Sequence, residues 1–239
     1  MSVVGLFSAK GAPGVTTLAT ALAAHGQSAG AVLIEADAAG GDLALRLGIG
    51  QSPGLAQLAA RARRLPESGR DVLDGLARRI EPGGFDLVPA SIEPEAAAAA
   101  LTALAASPGA LAEAGRGRVL FVDLGRLDPR SPAFGLVVAC DVLGLVVRGD
   151  VASLGHAREA TWLPELPGRT GFVLIDTGPY RASEAADVLT LPCLGTVPFI
   201  RKGLRGRRGA KAIDAVWKEL STMTHEPVAA PEPAEVYTR

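Results

Sequence analysis

The chain has 239 residues, enough to bury a sizeable core without disulfides and about the length of one α/β domain. Lysine and arginine number 24 against 25 aspartates and glutamates, so the net charge of -1 excludes global attraction to nucleic acid or anionic lipid. With 48% hydrophobic and 21% charged residues, and no run of about 18 uninterrupted apolar residues, wholesale disorder and a membrane-spanning helix are excluded as well.

Met1 leads directly into an apolar run with neither a basic segment nor an A-x-A pattern, so a first strand is expected there rather than a secretory signal. Short runs rich in Val, Leu, Ile and Phe recur at 3–7, 31–36, 85–89, 118–123, 142–147, 171–176 and 191–197. Several are continuously apolar rather than alternating, the mark of strands covered on both faces, and a mostly parallel sheet follows. Helical patterns lie between them at 16–29, 55–64, 70–79, 93–106, 152–162, 183–189 and 210–223. Strand and helix alternation predicts right-handed βαβ units with ligands beyond the carboxyl ends of the strands. Residues 50–84 read as a helical excursion carrying two basic helices, and Ala96 to Ala100 as part of an ordinary amphipathic helix. From residue 225 the Pro, Glu and Ala content is too poor in apolar surface to order, so a domain over 1–224 and a mobile tail over 225–239 are expected.

Directly after the first strand comes Ser8-Ala9-Lys10-Gly11-Ala12-Pro13-Gly14-Val15-Thr16-Thr17. Its glycines let the backbone curl so that successive amides point inward, and the start of the next helix adds its positive end, together an anion cradle. A strand-to-helix turn with no ligand is the alternative reading of such a pattern. Arginines number 20 and lysines 4, and Lys10 is the only lysine before Lys202, which singles out a compact ammonium in this loop.

The segment resembles the ParA/MinD family of P-loop ATPases, whose loop reads K-G-G-x-G-K-[ST]-[ST] where this one reads K-G-A-P-G-V-T-T. The resemblance implies an α/β, three-layer P-loop NTPase fold with a mostly parallel twisted sheet flanked by helices, and ATP with Mg2+ as ligands. It further implies that Gly11, Ala12, Pro13, Gly14, Val15, Thr16 and Thr17 surround the phosphates. Lys10 is then the signature lysine that in the family reaches the phosphates of a dimer partner, and Thr16 the hydroxyl ligand of Mg2+. Val15 departs from the pattern, standing where P-loops carry the lysine that touches the β- and γ-phosphates. A hydrogen bond to a charged group contributes about 1.5 to 3 kcal/mol, so its loss weakens nucleotide binding by about 10- to 100-fold, and hydrolysis suffers more.

Later strand ends carry carboxylates. The resemblance puts Asp37 where the family has its water-orienting aspartate, also near Mg2+, while Glu35 replaces the usual first aspartate. On the residues alone, Asp37 and Asp42 can equally cap a turn and the short helix that follows. The run Val119-Leu120-Phe121-Val122-Asp123-Leu124-Gly125 resembles the family's second phosphate-side motif, with Asp123 toward Mg2+ and Gly125 presenting an amide to the γ-phosphate. Asp176 and Pro198 fall where the family contacts the adenine base, although Pro198 can simply end its strand.

Arg201, Lys202, Arg205, Arg207, Arg208 and Lys211 form a run without an acid, either a nonspecific DNA contact or a solvated basic loop. Ile213, Val216, Trp217, Leu220 and Met223 make an apolar stripe suited to core docking. Membrane attachment is not expected from the acidic, proline-bearing C-terminus. His25, His156 and His225 lack metal-ligand spacing and read as incidental. Cys140 and Cys193 have no C-x-x-C spacing, read as small core residues, and suit a reduced, cytoplasmic setting. The combined expectation is an ATP-binding, homodimerising positioning switch for a cellular cargo and protein partner, with weak ATP hydrolysis. A non-catalytic scaffold and a DNA tether are the alternatives.

Overall fold

The apolar runs form one sheet whose central strands are hydrogen-bonded on both edges and covered on both faces. The structure, a computed structural model, describes residues 2–11, 13–64, 71–81, 83–167, 169–199, 204 and 206–225. Its strands are β1 (Ser2–Ser8), β2 (Val32–Glu35), β3 (Arg78–Ile80), β4 (Phe85–Val88), β5 (Val119–Arg126), β6 (Val142–Arg148), β7 (Arg169–Asp176) and β8 (Cys193–Pro198). Their order is β3-β4-β2-β5-β1-β6-β7-β8, parallel throughout except for β3 against β4. β1 therefore sits between β5 and β6, and the chain leaves it toward β2 on one side and later builds β6 to β8 on the other. That reversal is the crevice where α/β sheets hold ligands.

The helices are α1 (Val15–His25), α2 (Leu43–Leu47), α3 (Leu55–Ala62), α4 (Pro94–Ala105), α5 (Gly109–Ala114), α6 (Val151–Arg158), α7 (Ala182–Leu189) and α8 (Arg207–His225). One face of the sheet is covered by α1 and α8, whose Leu18, Leu22, Ile213, Val216 and Leu220 share a core with Val4, Leu6 and Phe121. The other face is covered by α3 to α7 through Leu58, Leu101, Leu111, Leu154 and Leu189. Two helical layers about one sheet give the expected three-layer architecture. No described helix is long and apolar enough to cross a membrane.

The stripe on α8 docks as its spacing predicts. Val216 is fully buried, and the Trp217 ring lies 5.9 Å from that of Phe121 and 5.5 Å from His25. Cys140 packs as a small core residue, where burial pushes its thiol up to about 12, and Cys193 is partly buried against the core.

One expectation is corrected. Residues 70–79 were expected to be helical, because Arg, Leu and Ala are good helix formers. Instead Val72, Leu73 and Leu76 turn inward onto the core beneath α3, and Arg78–Ile80 becomes a short antiparallel edge strand. Its Arg79 pairs across the strands with Asp86 at 3.8 Å, and exposed charge on an edge strand discourages further pairing. The expected boundary between 224 and 225 falls at the end of α8, which runs to His225; the remaining 226–239 lie outside the described residues.

The fold depends on α1 being held rigidly under the loop that precedes it. Leu22→Ala, which empties a fully buried position on α1, is expected to lower unfolding free energy by about 2 to 5 kcal/mol in urea titrations. The exposed Arg116→Ala should stay within about 0.5 kcal/mol of the parent protein.

Candidate functional site

β1 ends at Ser8 and α1 begins at Val15, so the chain must reverse from strand to helix within a short loop. Gly11 (φ 74) and Gly14 (φ 106) take left-handed conformations that side chains resist, which turns the loop without collapsing it. Leu18 makes the first backbone bond of α1, to the Gly14 carbonyl at 2.9 Å. The amides of Val15, Thr16 and Thr17 precede it and have no acceptor within the helix. They stand at the positive end of α1, a short loop beyond the carboxyl end of β1, an arrangement suited to cradle an anion. Ala12 lies outside the described residues, and Pro13 is buried.

Ser8, not singled out in the sequence, ties this loop to its neighbour. Its buried hydroxyl lies 3.4 Å from the Gly11 carbonyl and 3.5 Å from the Gly125 carbonyl, and its one proton can serve either. Gly125 is left-handed (φ 58), and a β-carbon there would overlap the Asp37 carboxylate. Strand register places Glu35 beside Asp123, so three carboxylates gather next to the loop: Glu35, Asp37 and Asp123.

Their environments separate their roles. Glu35 is buried and accepts three backbone bonds: from Asp42 N–H at 2.8 Å, Leu43 N–H at 2.9 Å and Ala90 N–H at 3.0 Å. It therefore caps α2 and fastens the β2 and β4 loops together. Asp42, the residue expected to cap, instead pairs on the surface with Arg46 at 2.7 Å. Burial raises the Glu35 carboxyl above its usual range, against the three amides that lower it. Asp37 is half-buried and accepts from Ala39 N–H at 2.8 Å, the turn-capping role foreseen as an alternative. Burial, then the nearby Asp42 charge, raise its carboxyl, while the Ala39 amide opposes them.

Asp123 is the unusual one. It is fully buried, its Oδ1 accepts from Gly125 N–H at 3.1 Å, and its Oδ2 has no hydrogen-bond partner among the described residues. Thr16 approaches from the start of α1 and, with the Gly125 amide, favours the charged form. Burial prevails, aided by the Asp37 and Glu35 charges, and the carboxyl is pushed up to about 7. A buried oxygen left open beside a threonine hydroxyl and an anion cradle has the chemistry of a site for a hard cation. Among the described residues no three His, Cys, Asp or Glu side chains close into a metal cage, so phosphate oxygens would have to complete it.

Lys10 and Val15 take opposite positions. Val15 is buried in the core with Leu18 and Leu22, so its position contributes packing and no charge to the cradle. Lys10 is exposed, and its Nζ lies 2.8 Å from Nε2 of His156 on α6. His156 is thus not incidental; at 146 residues away along the chain, nothing in the sequence links the two. His25 lies 3.7 Å from Asp214, and the side chain of His225 is outside the described residues.

At the other end of the sheet, register pairs Asp176 directly with Pro198, the two residues expected at a base site. Asp176 is exposed and lies 3.9 Å from Arg208 at the start of α8. Of the basic run, Arg207, Arg208 and Lys211 lie exposed on α8, and Arg201, Lys202 and Arg205 fall outside the described residues.

The raised Asp123 carboxyl fixes the sign of a pH effect. The native state holds this proton up to about pH 7, whereas the unfolded carboxyl gives it up near 3.8, so the site's contribution to stability is lost as pH rises between these values. Asp123→Asn is therefore expected to melt higher than the parent at pH 8 without added ligand, with the gap narrowing at pH 5 and closing only below pH 3.8, in thermal scans of both proteins.

No protein-family model and no curated protein matches this sequence. Solved structures do resemble it. The septum site-determining protein MinD of Pyrococcus horikoshii, solved with Mg-ADP, gives a TM-score of 0.74 at 17% identity, over 94% of this chain and 97% of that one. A ParA family ATPase of Chlorobium tepidum gives 0.68 at 21% identity over 93% and 95%. McdA of Cyanothece, solved with ATP, gives 0.64 at 15% identity over 92% and 96%. At such low identity the likeness is one of architecture: the chain has the fold of the MinD and ParA P-loop ATPases.

Proposed function

We propose that this chain binds ATP with Mg2+ at the Gly11 to Thr17 loop and acts as a homodimerising, ParA/MinD-like positioning switch for a cellular cargo, with weak ATP hydrolysis. The observation that carries the reading is the buried, open Oδ2 of Asp123 beside Thr16 and the cradle of free amides. The fold shared with MinD and McdA structures that hold Mg-ADP and ATP supports it. Domain 1–224 is the nucleotide-binding unit in this reading.

Within the site each residue has a distinct task. The amides of Val15, Thr16 and Thr17 grip phosphate oxygens, and the Thr16 hydroxyl with Asp123 would hold Mg2+, Asp123 through its hydration shell. Bound Mg2+ supplies positive charge that offsets the phosphates. Asp37, held by Ala39 and pressed against Gly125, would orient a water for attack. The Gly125 amide donates to Asp123 Oδ1 at 3.1 Å and would have to leave it to meet a terminal phosphate, while Asp176 with Pro198 would receive the base. Glu35 takes no part in the chemistry, since both of its oxygens are occupied by amides.

Weak hydrolysis follows from Val15. Charge developing on a transferred phosphoryl group is met by the amides and by Mg2+, with no ammonium at that position. The same burial of Val15 favours a second reading, a scaffold that binds nucleotide and dimerises without turnover.

Calorimetry with ATP and ADP, with and without Mg2+, is expected to show binding that Mg2+ strengthens. Asp123→Asn should remove the Mg2+-dependent part, and Val15→Lys should tighten ATP by about 10- to 100-fold. No binding of either nucleotide at millimolar concentration would overturn the proposal. Phosphate release separates switch from scaffold: turnover abolished by Lys10→Ala defeats the scaffold reading.

A further inference from the structure

We infer that His156 is a positioning residue for Lys10: in its neutral form it accepts a hydrogen bond from the ammonium and pins the loop lysine to its own chain until a phosphate takes the lysine away. The contact is Nζ to Nε2 at 2.8 Å, and it bridges the two sides of the crevice, from the loop after β1 to the helix after β6.

The anchor side is fixed. α6 begins at Asp150, whose Oδ1 accepts from Ser153 N–H at 2.7 Å, and the Ser153 hydroxyl in turn accepts from Arg148 N–H at 2.9 Å. Leu154 and Ala157 are buried on either side of His156 in sequence, so the helix cannot rotate to follow the lysine. Lys10, by contrast, lies in an exposed part of the loop just before the left-handed Gly11.

A neutral imidazole is a single acceptor without charge, whereas a phosphate oxygen is a charged one, and charge-assisted bonds are about twice as strong as neutral ones. An arriving phosphate therefore displaces His156. Because Val15 brings no ammonium, Lys10 is the lysine in the loop on which this exchange acts. The occupied site then differs from the empty one in the freedom of His156, a local signal on α6, which packs against α7. The other charged groups on the adjoining elements are Arg148 at the end of β6, Asp150, Arg158 and Glu159 around α6, and Arg181, Glu184 and Asp187 on α7. Of these, Arg158 and Glu159 already pair with each other at 2.9 Å.

The pinning itself is independent of nucleotide; only the exchange rests on the function proposed above. With three histidines in the chain, imidazole NMR resonances of the full protein can be assigned by substitution. Lys10→Met is expected to move the His156 resonance in ligand-free protein and leave His25 in place; an unmoved His156 overturns the inference whatever the protein binds. Adding ATP should shift His156 in the parent toward its Lys10→Met position. ATP binding by calorimetry with His156 unmoved overturns the exchange, whereas absence of ATP binding overturns the functional reading and leaves the ligand-free comparison to decide the pinning. His156→Ala should tighten ATP about two- to fivefold, and His156→Gln, which keeps an acceptor, should restore parental affinity. Equal affinities of the Ala and Gln variants would also overturn the inference.

Discussion

A buried parallel strand that turns at once into a helix leaves amide hydrogens without partners at the place where the sheet ends, and the rest of this molecule is arranged around that condition. The left-handed glycines at 11 and 14 turn the chain from β1 into α1, and α1 is held against the sheet by an apolar stripe that includes Val15 itself. The position that in related loops carries charge is here spent on packing. The cradle is consequently made chiefly of backbone, and backbone cannot be swung away or titrated.

Charge enters from the other side. Register between β2 and β5 brings Glu35 and Asp123 to the same level, and the overlap between Gly125 and Asp37 adds a third carboxylate. Three acids in a poorly solvated corner repel one another, and the structure treats each differently. Glu35 is satisfied by amides, Asp37 keeps partial exposure, and Asp123 tends to hold its proton near neutrality. Such a corner is prepared for a positive ion in a way that a satisfied structural corner is not, because one oxygen remains without a partner.

Much of this was legible in the chain before any coordinates. Continuous apolar runs announced strands covered on both faces, and the Gly-rich stretch after the first of them located the cradle. Asp37, Asp123 and Gly125 each end or follow such a run, but only the resemblance to ParA/MinD loops singled them out, and the fold brings them side by side. What stayed hidden depended on distance along the chain. No local pattern says that Glu35 will cap α2 in place of Asp42, since that follows from how the loops after β2 and β4 meet. Nor does any spacing connect Lys10 with His156. β3 was missed for a different reason: three residues with a single buried apolar side chain give too little alternation to register against helix-forming neighbours.

The docking of α8 has a consequence for synthesis. Trp217 rests on Phe121 and His25, and Ile213, Val216 and Leu220 close the core over α1, while β1 itself is bordered by β5 and β6. β1 thus waits for partners encoded more than a hundred residues later, and α1 stays unroofed until α8 has been made. Neither edge of β1 can be bordered before residues beyond 118 exist, so the centre of this sheet is set by contacts of large sequence separation, the kind that slow folding.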